Sequence, residues 1–217
     1  MSKPFIVAID GPAGAGKSTI ARLVAEKLGV VYIDTGAMYR AVALWALRLG
    51  LDLTDSHRLE QLAKEAEIEL SADHRVLLNG EDVTEAIRQP AVSEAASRAA
   101  ACGGVRRAMQ EEQRRMAESR SVVMEGRDIG TVVFPDARVK IYLDANAGIR
   151  ARRRAQETGM GELHVAKELA ERDHRDRNRP DDPLTQAPDA EYIDTTGLTV
   201  EQVEQAILRL VRQRTSN

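Results

Sequence analysis

One segment, residues 11–18, constrains the fold of this chain more than any other part of the sequence. It reads GPAGAGKS and matches the pattern G-x-x-x-x-G-K-[ST] at every fixed position. The continuous apolar run FIVAI precedes it over residues 5–9, and apolar residues recur at helical spacing over residues 20–28, before Gly29. A buried strand, a glycine-rich loop and a helix are therefore predicted in that order, which is the context that the motif requires.

The loop has the chemistry of a phosphate site. Glycine lets backbone N–H groups converge on phosphate oxygens without a Cβ in the way, and a helix that begins near Lys17 adds the positive end of its dipole. We expect Lys17 to span the β- and γ-phosphates and Ser18 to offer its hydroxyl to Mg²⁺. The predicted site for Mg-ATP comprises Gly11, Pro12, Ala13, Gly14, Ala15, Gly16, Lys17, Ser18 and Thr19.

Composition places the chain among soluble globular proteins. Its 217 residues suffice for one α/β domain with a small insertion. The single cysteine, Cys102, excludes an internal disulfide and fits a reducing compartment, and no apolar run approaches the roughly 18–20 residues of a membrane span. We therefore expect a cytoplasmic protein that binds no membrane. The net charge of −3 argues against a nucleic-acid partner, although arginines cluster over residues 150–154 and 172–179.

Strands alternate with helices along the chain. Apolar runs predict five core strands, near residues 5–9, 30–33, 121–124, 139–143 and 192–193. This order is typical of an α/β fold with a five-stranded parallel sheet flanked by helices. Residues 68–83 differ, because apolar residues alternate there and Asn79-Gly80 is a strong turn signal. We interpret them as a small antiparallel insertion.

A phosphate loop alone does not distinguish switches, motors and kinases. The guanine-binding pattern N-K-x-D and the L-S-G-G signature of ABC-type ATPases are absent from the sequence. A small kinase with an anionic acceptor remains the best interpretation. Arg40 supports it, since it lies one turn into the helix after the second predicted strand, and ligands of open α/β sheets gather at the carboxyl ends of strands.

A second arginine-rich segment, residues 171–179, adds a candidate lid. On a helix, a set of four side chains would share one face within about a quarter turn or slightly more. The set is Arg172, Arg175, Asp176 and Arg179. Three guanidinium groups around one carboxylate suit a phosphate and a ribose hydroxyl. The segment GMG at residues 159–161 and a further arginine cluster precede this stretch, which favours a mobile lid over a solvent-facing helix.

Motifs in a fixed order cover nearly the whole chain. They are IDGPAGAGKS at residues 9–18, DTGAMYR at 34–40, GRDIGTVVFPD at 126–136, VKIYLD at 139–144, ERDHRD at 171–176, PL at 183–184 and DTT at 194–196. In this order they resemble the bacterial cytidylate kinases, which are nucleoside-monophosphate kinases. The resemblance implies a P-loop kinase fold in a single domain. Its core would comprise residues 1–35, 103–146 and 180–217, its monophosphate-binding region with the insertion residues 36–102, and its helical lid residues 147–179.

The resemblance also implies a function, the ATP-dependent phosphorylation of CMP, and of dCMP, by direct in-line transfer in a monomeric enzyme. Carried over to this sequence, it assigns the substrate site to Asp34, Thr35, Arg40, Ser97, Arg106, Arg127, Asp128, Arg172, Asp176 and Arg179. The residues expected to act in catalysis are Lys17, Arg127, Arg172 and Arg179.

The residue chemistry agrees with cytidine as the acceptor. Cytosine presents an N4 amino donor beside two acceptors, so the Asp128 carboxylate would accept from N4. UMP would turn an oxygen toward that carboxylate and should be disfavoured. The acceptor phosphate is largely ionised at neutral pH, so no strong general base is needed. The four histidines show no catalytic spacing and are expected at the surface.

Two alternatives stay open. A kinase for another small acceptor, such as UMP or AMP, would share the loop and differ at the base-reading residues. A nucleic-acid-stimulated ATPase would use the arginine clusters for DNA or RNA, with a steep salt dependence. The acidic net charge and an aromatic content of 3% argue against this second alternative.

Overall fold

The computed structural model describes residues 4–71 and 73–215. The strands in these residues are β1 (Ile6–Asp10), β2 (Val31–Asp34), β3 (Ile68–Leu70), β4 (Val76–Leu78), β5 (Glu81–Asp82), β6 (Val122–Gly126), β7 (Val139–Asp144) and β8 (Glu191–Asp194). The helices are α1 (Lys17–Leu28), α2 (Thr35–Arg48), α3 (Ser56–Glu65), α4 (Pro90–Ala99), α5 (Gly103–Ala117), α6 (Ala147–Thr158), α7 (Glu162–Asn178) and α8 (Val200–Thr215). None of the helices described there could span a bilayer, because none joins the required length to an apolar composition.

The larger sheet has the strand order β2-β6-β1-β7-β8. β1 is central and pairs in parallel with β6 on one side and β7 on the other, so that Val7 lies opposite both Val123 and Val139. β7 also pairs in parallel with β8. The predicted five-stranded parallel sheet is therefore confirmed. The order brings the carboxyl end of β1, from which residues 11–16 extend, next to the ends of β6 and β7.

The chain divides into two compact units, and the first contains the residues up to Tyr32 and from Ser119 onward. Its core forms where α1 and α8 cover the sheet, since apolar residues of both helices pack with the inward side chains of β1, β6 and β7. The main buried members are Val7, Ile9, Ile20, Val24, Val123, Ile141, Leu143, Val203 and Ile207. Burial on this scale holds the end of β1 firmly, which positions the loop that follows it.

The second unit comprises Ile33–Glu118. Helices α2 to α5 enclose its core, with Met38, Val42, Leu59 and Met109 among the buried side chains. The small sheet β3-β4-β5 belongs to this unit and is antiparallel. Between β4 and β5, Asn79 and Gly80 both take a positive φ, of 51° and 80°, as a tight two-residue hairpin turn demands. The predicted antiparallel insertion is confirmed, whereas the predicted borders of core, monophosphate-binding region and lid remain predictions.

Two short elements were not indicated by any periodicity in the sequence. A 3₁₀ turn spans Ala86–Arg88, and a π-helical turn spans Ile129–Val133 directly after β6. The helical face predicted for the arginine-rich segment differs at its last member. α7 stops at Asn178 and Arg179 is extended, with φ −65° and ψ 143°, because Pro180 follows it. Arg179 is therefore not on the helical face predicted for it.

Candidate active site

The phosphate loop lies in the first unit, between β1 and α1. Gly11 has φ +145°, and a Cβ on it would lie 1.9 Å from the carbonyl oxygen of Leu143 in β7. Gly14 and Gly16 have φ values of +77° and +87°, which side chains rarely allow. The three glycines of the loop thus meet steric or conformational demands. α1 begins at Lys17, so its first N–H groups and the positive end of its dipole face the loop.

Lys17 is buried, and its ammonium group folds back over the loop. Nζ donates a hydrogen bond to the carbonyl oxygen of Pro12 at 2.7 Å. Burial, together with the positive charges of Arg127 and Arg172, lowers the pKa of Lys17 from its ordinary 10.5 to about 7 against the attraction of Glu125. The amine is therefore close to half charged at neutral pH, and a polyanion beside it would favour the charged form.

The predicted residues of the first unit form a cluster of carboxylates and guanidinium groups. Arg127 Nε lies 2.9 Å from Asp176 Oδ2, and Arg172 Nε lies 4.0 Å from the same oxygen. Burial alone would raise the pKa of Asp176, but Arg127 and Arg172 hold that pKa below its usual value. Arg179 reaches the cluster from beyond α7, since its Nη2 is 3.8 Å from Asp128 Oδ1. The structure thus brings these five residues together, in a largely buried position.

Asp10, at the end of β1, also supports this cluster and was missed in the sequence. Its two carboxylate oxygens accept hydrogen bonds from the backbone N–H groups of Ile129 and Gly130, at 2.9 and 2.7 Å. They fix the start of the π-helical turn, directly after Arg127 and Asp128. Burial raises the pKa of Asp10 to about 6, although the two backbone hydrogen bonds and Lys17 oppose that rise. The pattern G-x-x-x-x-G-K-[ST] does not include this position, although the longer motif IDGPAGAGKS at residues 9–18 does.

The remaining predicted substrate residues lie in the second unit. Asp34 caps α2 by accepting from Ala37 N at 3.0 Å, and it pairs with Arg40 Nη2 at 2.8 Å. Both side chains of that pair keep a quarter of their surface exposed, so they can still reach a ligand. Thr35, Ser97 and Arg106, in contrast, are buried within the unit. Their contact with CMP stays a prediction.

A pocket of about 430 Å³ lies beside the phosphate loop, within the first unit. Gly16 and Thr19 line it from the loop and α1, Arg153 lines it from α6, and Leu198 and Val200 line it just before and at the start of α8. Apolar walls with a few polar groups are typical of a site for an aromatic base. The pocket therefore offers space for a nucleoside whose phosphates reach the loop.

Two further residues hold the loop from behind and were not singled out in the sequence. Arg150 Nη1 donates to the carbonyl oxygen of Ala13 at 3.1 Å. The hydroxyl of Thr195 lies 3.3 Å from Ala15 O and accepts from Arg153 Nη1 at 2.9 Å. The available signals were weak: Arg150 stood in an arginine cluster, and Thr195 stood in the DTT motif. The four histidines are all exposed, as expected.

Comparisons with known proteins agree with this arrangement. The family model for cytidylate kinase matches residues 7–213. A cytidylate kinase of Solibacter usitatus is 59% identical over 222 aligned positions, which cover 99% of this chain and 95% of that protein. A cytidylate kinase of Pelotomaculum thermopropionicum is 51% identical, over 94% of this chain and 95% of that protein. The crystal structure of an uncharacterized protein from Eubacterium ventriosum has a TM-score of 0.56 at 14% identity, over 97% of this chain and 99% of that one, and shares the fold. The chain belongs to the cytidylate kinase family.

Proposed function

We propose that this protein transfers the γ-phosphoryl group of ATP to CMP and forms ADP and CDP. One observation carries the proposal. A formed phosphate loop and a buried cluster of three arginines with two carboxylates lie in the same unit of a chain from the cytidylate kinase family. Transfer requires a polyphosphate donor and an anionic acceptor held in line, and this unit has cationic groups for both.

On the donor side, the triphosphate would bind the N–H groups of the loop and the adenosine would occupy the neighbouring pocket. We propose that Lys17 then exchanges its hydrogen bond to Pro12 O for phosphate oxygens. The exchange replaces a neutral acceptor by an anionic one, which strengthens the hydrogen bond and favours the charged ammonium group. The ammonium group of Lys17 would in this way stay beside the negatively charged phosphoryl group during its transfer.

Mg²⁺ would accompany ATP, and Ser18 fits a role beside it. Ser18 follows Lys17 in the first turn of α1, and its side chain is exposed. A hydroxyl oxygen is a hard ligand of the kind that Mg²⁺ prefers. The ion supplies charge neutralisation on the transferred group, while the residues of the chain bind and orient the two substrates.

On the acceptor side, three guanidinium groups face two carboxylates, so the cluster of the first unit keeps an excess of one positive charge. A monophosphate anion suits that excess, with Arg127, Arg172 and Arg179 as donors. Asp128 would accept from the N4 amino group of cytosine. For the second unit, the resemblance predicts contacts of CMP with Asp34, Thr35, Arg40, Ser97 and Arg106.

The chemistry asks little of acid–base groups. An oxygen of the CMP phosphate attacks the γ-phosphorus of ATP, and the bond from that phosphorus to the β,γ-bridging oxygen breaks as ADP leaves. Because the attacking oxygen is largely ionised at neutral pH, no side chain has to remove a proton from it. Lys17 and the three arginines would act by alignment and by stabilising negative charge.

Three finer properties complete the proposal. We propose that dCMP is also a substrate, that the enzyme acts as a monomer and that it works in the cytoplasm. The family resemblance supports the first two. The third is supported by a single cysteine, Cys102, which forms no disulfide.

The test is ADP release from Mg-ATP with one second component at a time, chosen from CMP, dCMP, UMP, AMP and single-stranded DNA. We expect rapid release with CMP and dCMP, slow release with UMP, and none above background with AMP or DNA. Faster release with UMP or AMP than with CMP would overturn the choice of acceptor. Hydrolysis stimulated by DNA and suppressed by salt would instead support an ATPase.

A further inference from the structure

We propose that Arg150 is a positioning residue that sets the direction of the phosphate-binding N–H groups and is itself held by Asp173 of α7. The inference rests on the proposed role of the loop as a site for ATP, and it concerns residues outside both the loop motif and the predicted substrate residues. Arg150 lies in the first turn of α6 and is buried.

A single guanidinium group joins three parts of the first unit. Nε donates to the carbonyl oxygen of Ala145, just after β7, at 3.0 Å. Nη1 donates to Ala13 O in the phosphate loop at 3.1 Å. Nη2 lies 2.7 Å from Asp173 Oδ2 on α7. The planar fork of arginine can serve these three acceptors at once, which the single ammonium point of lysine cannot do with the same geometry.

The contact to Ala13 O matters because a peptide unit is planar and trans. The carbonyl of Ala13 and the N–H of Gly14 belong to one such unit and point in opposite directions. Arg150 holds the carbonyl on the side of α6, so the N–H of Gly14 is directed away from it. The backbone fits closely there as well, since a Cβ on Gly14 would lie 2.9 Å from Arg150 O. Rotation of this peptide plane would therefore break a hydrogen bond.

Asp173 balances the buried charge of Arg150 and fixes its position. Oδ2 of Asp173 faces Nη2, whereas Oδ1 is buried and has no hydrogen-bond partner among the residues that the structure describes. Loss of either residue would remove the shortest ion pair of the other. The remaining charges nearby are more distant: Asp144 Oδ1 lies 3.9 Å from Arg150 Nε, and Arg127 attracts Asp173. Asp173 also follows Arg172 and precedes Asp176 by one turn of α7. The pair therefore links the phosphate loop to the helix that carries these two predicted CMP residues.

The test is the dissociation constant of Mg-ATP, measured by calorimetry without acceptor, together with KM for each substrate. Arg150→Met and Arg150→Lys should both weaken ATP binding, by roughly 10- to 100-fold for the methionine variant, because the N–H groups lose their fixed direction. The lysine variant should fall between that variant and wild type. Arg152→Met is the matched control on the same helix. Arg152 is exposed, and its ion pair with Glu162 is long, with 3.8 Å between Nε and Oε2. The control variant should bind ATP as wild type does.

A purely structural role would lower the melting temperature and the active fraction but leave the dissociation constant of the folded protein unchanged. Wild-type affinity for ATP in folded Arg150→Lys, or equal loss in Arg152→Met, would overturn the proposal. Asp173→Asn keeps the shape of the side chain and should weaken ATP binding by about 3- to 10-fold, which corresponds to the net contribution of one hydrogen bond. The double variant Arg150→Met/Asp173→Asn should be no worse than Arg150→Met alone, whereas additive losses would refute the link between the two residues.

Failure of the proposed function would be detected by a different measurement from failure of the role of Arg150. It would appear as wild-type protein that releases no ADP with CMP, whereas the role of Arg150 is read from ATP binding alone.

Discussion

ATP binding should take up close to one proton from solution at pH 8, because Lys17 is largely neutral in the free protein. Burial and the positive charges of Arg127 and Arg172 together lower the pKa of this lysine to about 7. A triphosphate placed beside Nζ stabilises the ammonium form and should bring the pKa back to its ordinary 10.5 or higher. The free and bound states then differ in charge at this one side chain over several pH units.

The size of the uptake follows from the two pKa values. With a pKa of about 7 in the free protein, roughly a tenth of the Lys17 side chains carry a proton at pH 8, while nearly all carry one in the complex. About 0.9 proton per ATP should therefore be taken up at pH 8 and about 0.1 at pH 6. By linkage, the association constant of ATP should fall close to tenfold per pH unit around pH 8, because the bound state holds the extra proton.

Calorimetric titration with Mg-ATP in buffers of different ionisation enthalpy measures this number directly. The slope of observed enthalpy against buffer ionisation enthalpy gives the protons taken up. The phosphate groups of ATP are fully ionised at pH 8 and add nothing. Lys17→Arg is the matched control, since arginine stays charged at every pH used and should give a slope near zero. A wild-type slope near zero at pH 8, or the same slope in Lys17→Arg, would refute the reasoning.

Three further outcomes are expected. Gly11→Ala places a Cβ 1.9 Å from Leu143 O at a φ of +145°. The strain of roughly 2–3 kcal/mol should lower Tm in thermal unfolding by about 5–10 °C. Gly197→Ala is the control and should leave Tm unchanged, because the space around Gly197 is open. Asp128→Ala should raise KM for CMP far more than KM for ATP, and an unchanged preference for CMP over UMP would disprove its role in reading cytosine. Burial raises the pKa of Asp10 from 3.8 to about 6. Protonation of Asp10 therefore stabilises the folded state by about 3 kcal/mol below pH 4, and this stabilisation is lost as the pH rises through 6. In urea unfolding, wild type should therefore lose that amount relative to Asp10→Asn between about pH 4 and pH 7; parallel pH profiles would contradict the assignment.

The sequence predicted those parts of the structure that depend on local patterns. The run FIVAI and the glycine loop indicated a strand, a turn and a helix, and the structure has β1, the loop and α1 there. Asn79-Gly80 indicated a hairpin because both residues tolerate a positive φ, which both adopt. The arrangement of the strands into one parallel sheet followed from their alternation with helices.

The interactions behind the site could not be predicted in the same way, because their partners are far apart along the chain. Asp10 accepts from N–H groups about 120 positions later, and Arg150 donates to a carbonyl 137 positions earlier. No period of 2 or 3.6 residues encodes such pairs. The extended backbone of Arg179 had a local cause in Pro180, yet the helical spacing of the arginines concealed it. Only packing brings its side chain to Asp128.

Asp10 and Lys17 together limit the pH range in which the protein without ATP carries both a carboxylate at Asp10 and an ammonium group at Lys17. Asp10 is ionised above a pKa of about 6, and Lys17 is protonated below a pKa of about 7. Both charges are therefore present mainly between these values in the free protein. Their attraction favours this state, since each lowers the cost of burying the other. Bound ATP would extend this pH range upward by holding the proton on Lys17. The lower limit of the range would still be set by Asp10, which anchors the turn after Arg127 and Asp128. Activity should then decline on the acid side through Asp10 and ATP affinity on the alkaline side through Lys17. A variant of either residue should also shift the limit set by the other, because the two charges attract each other.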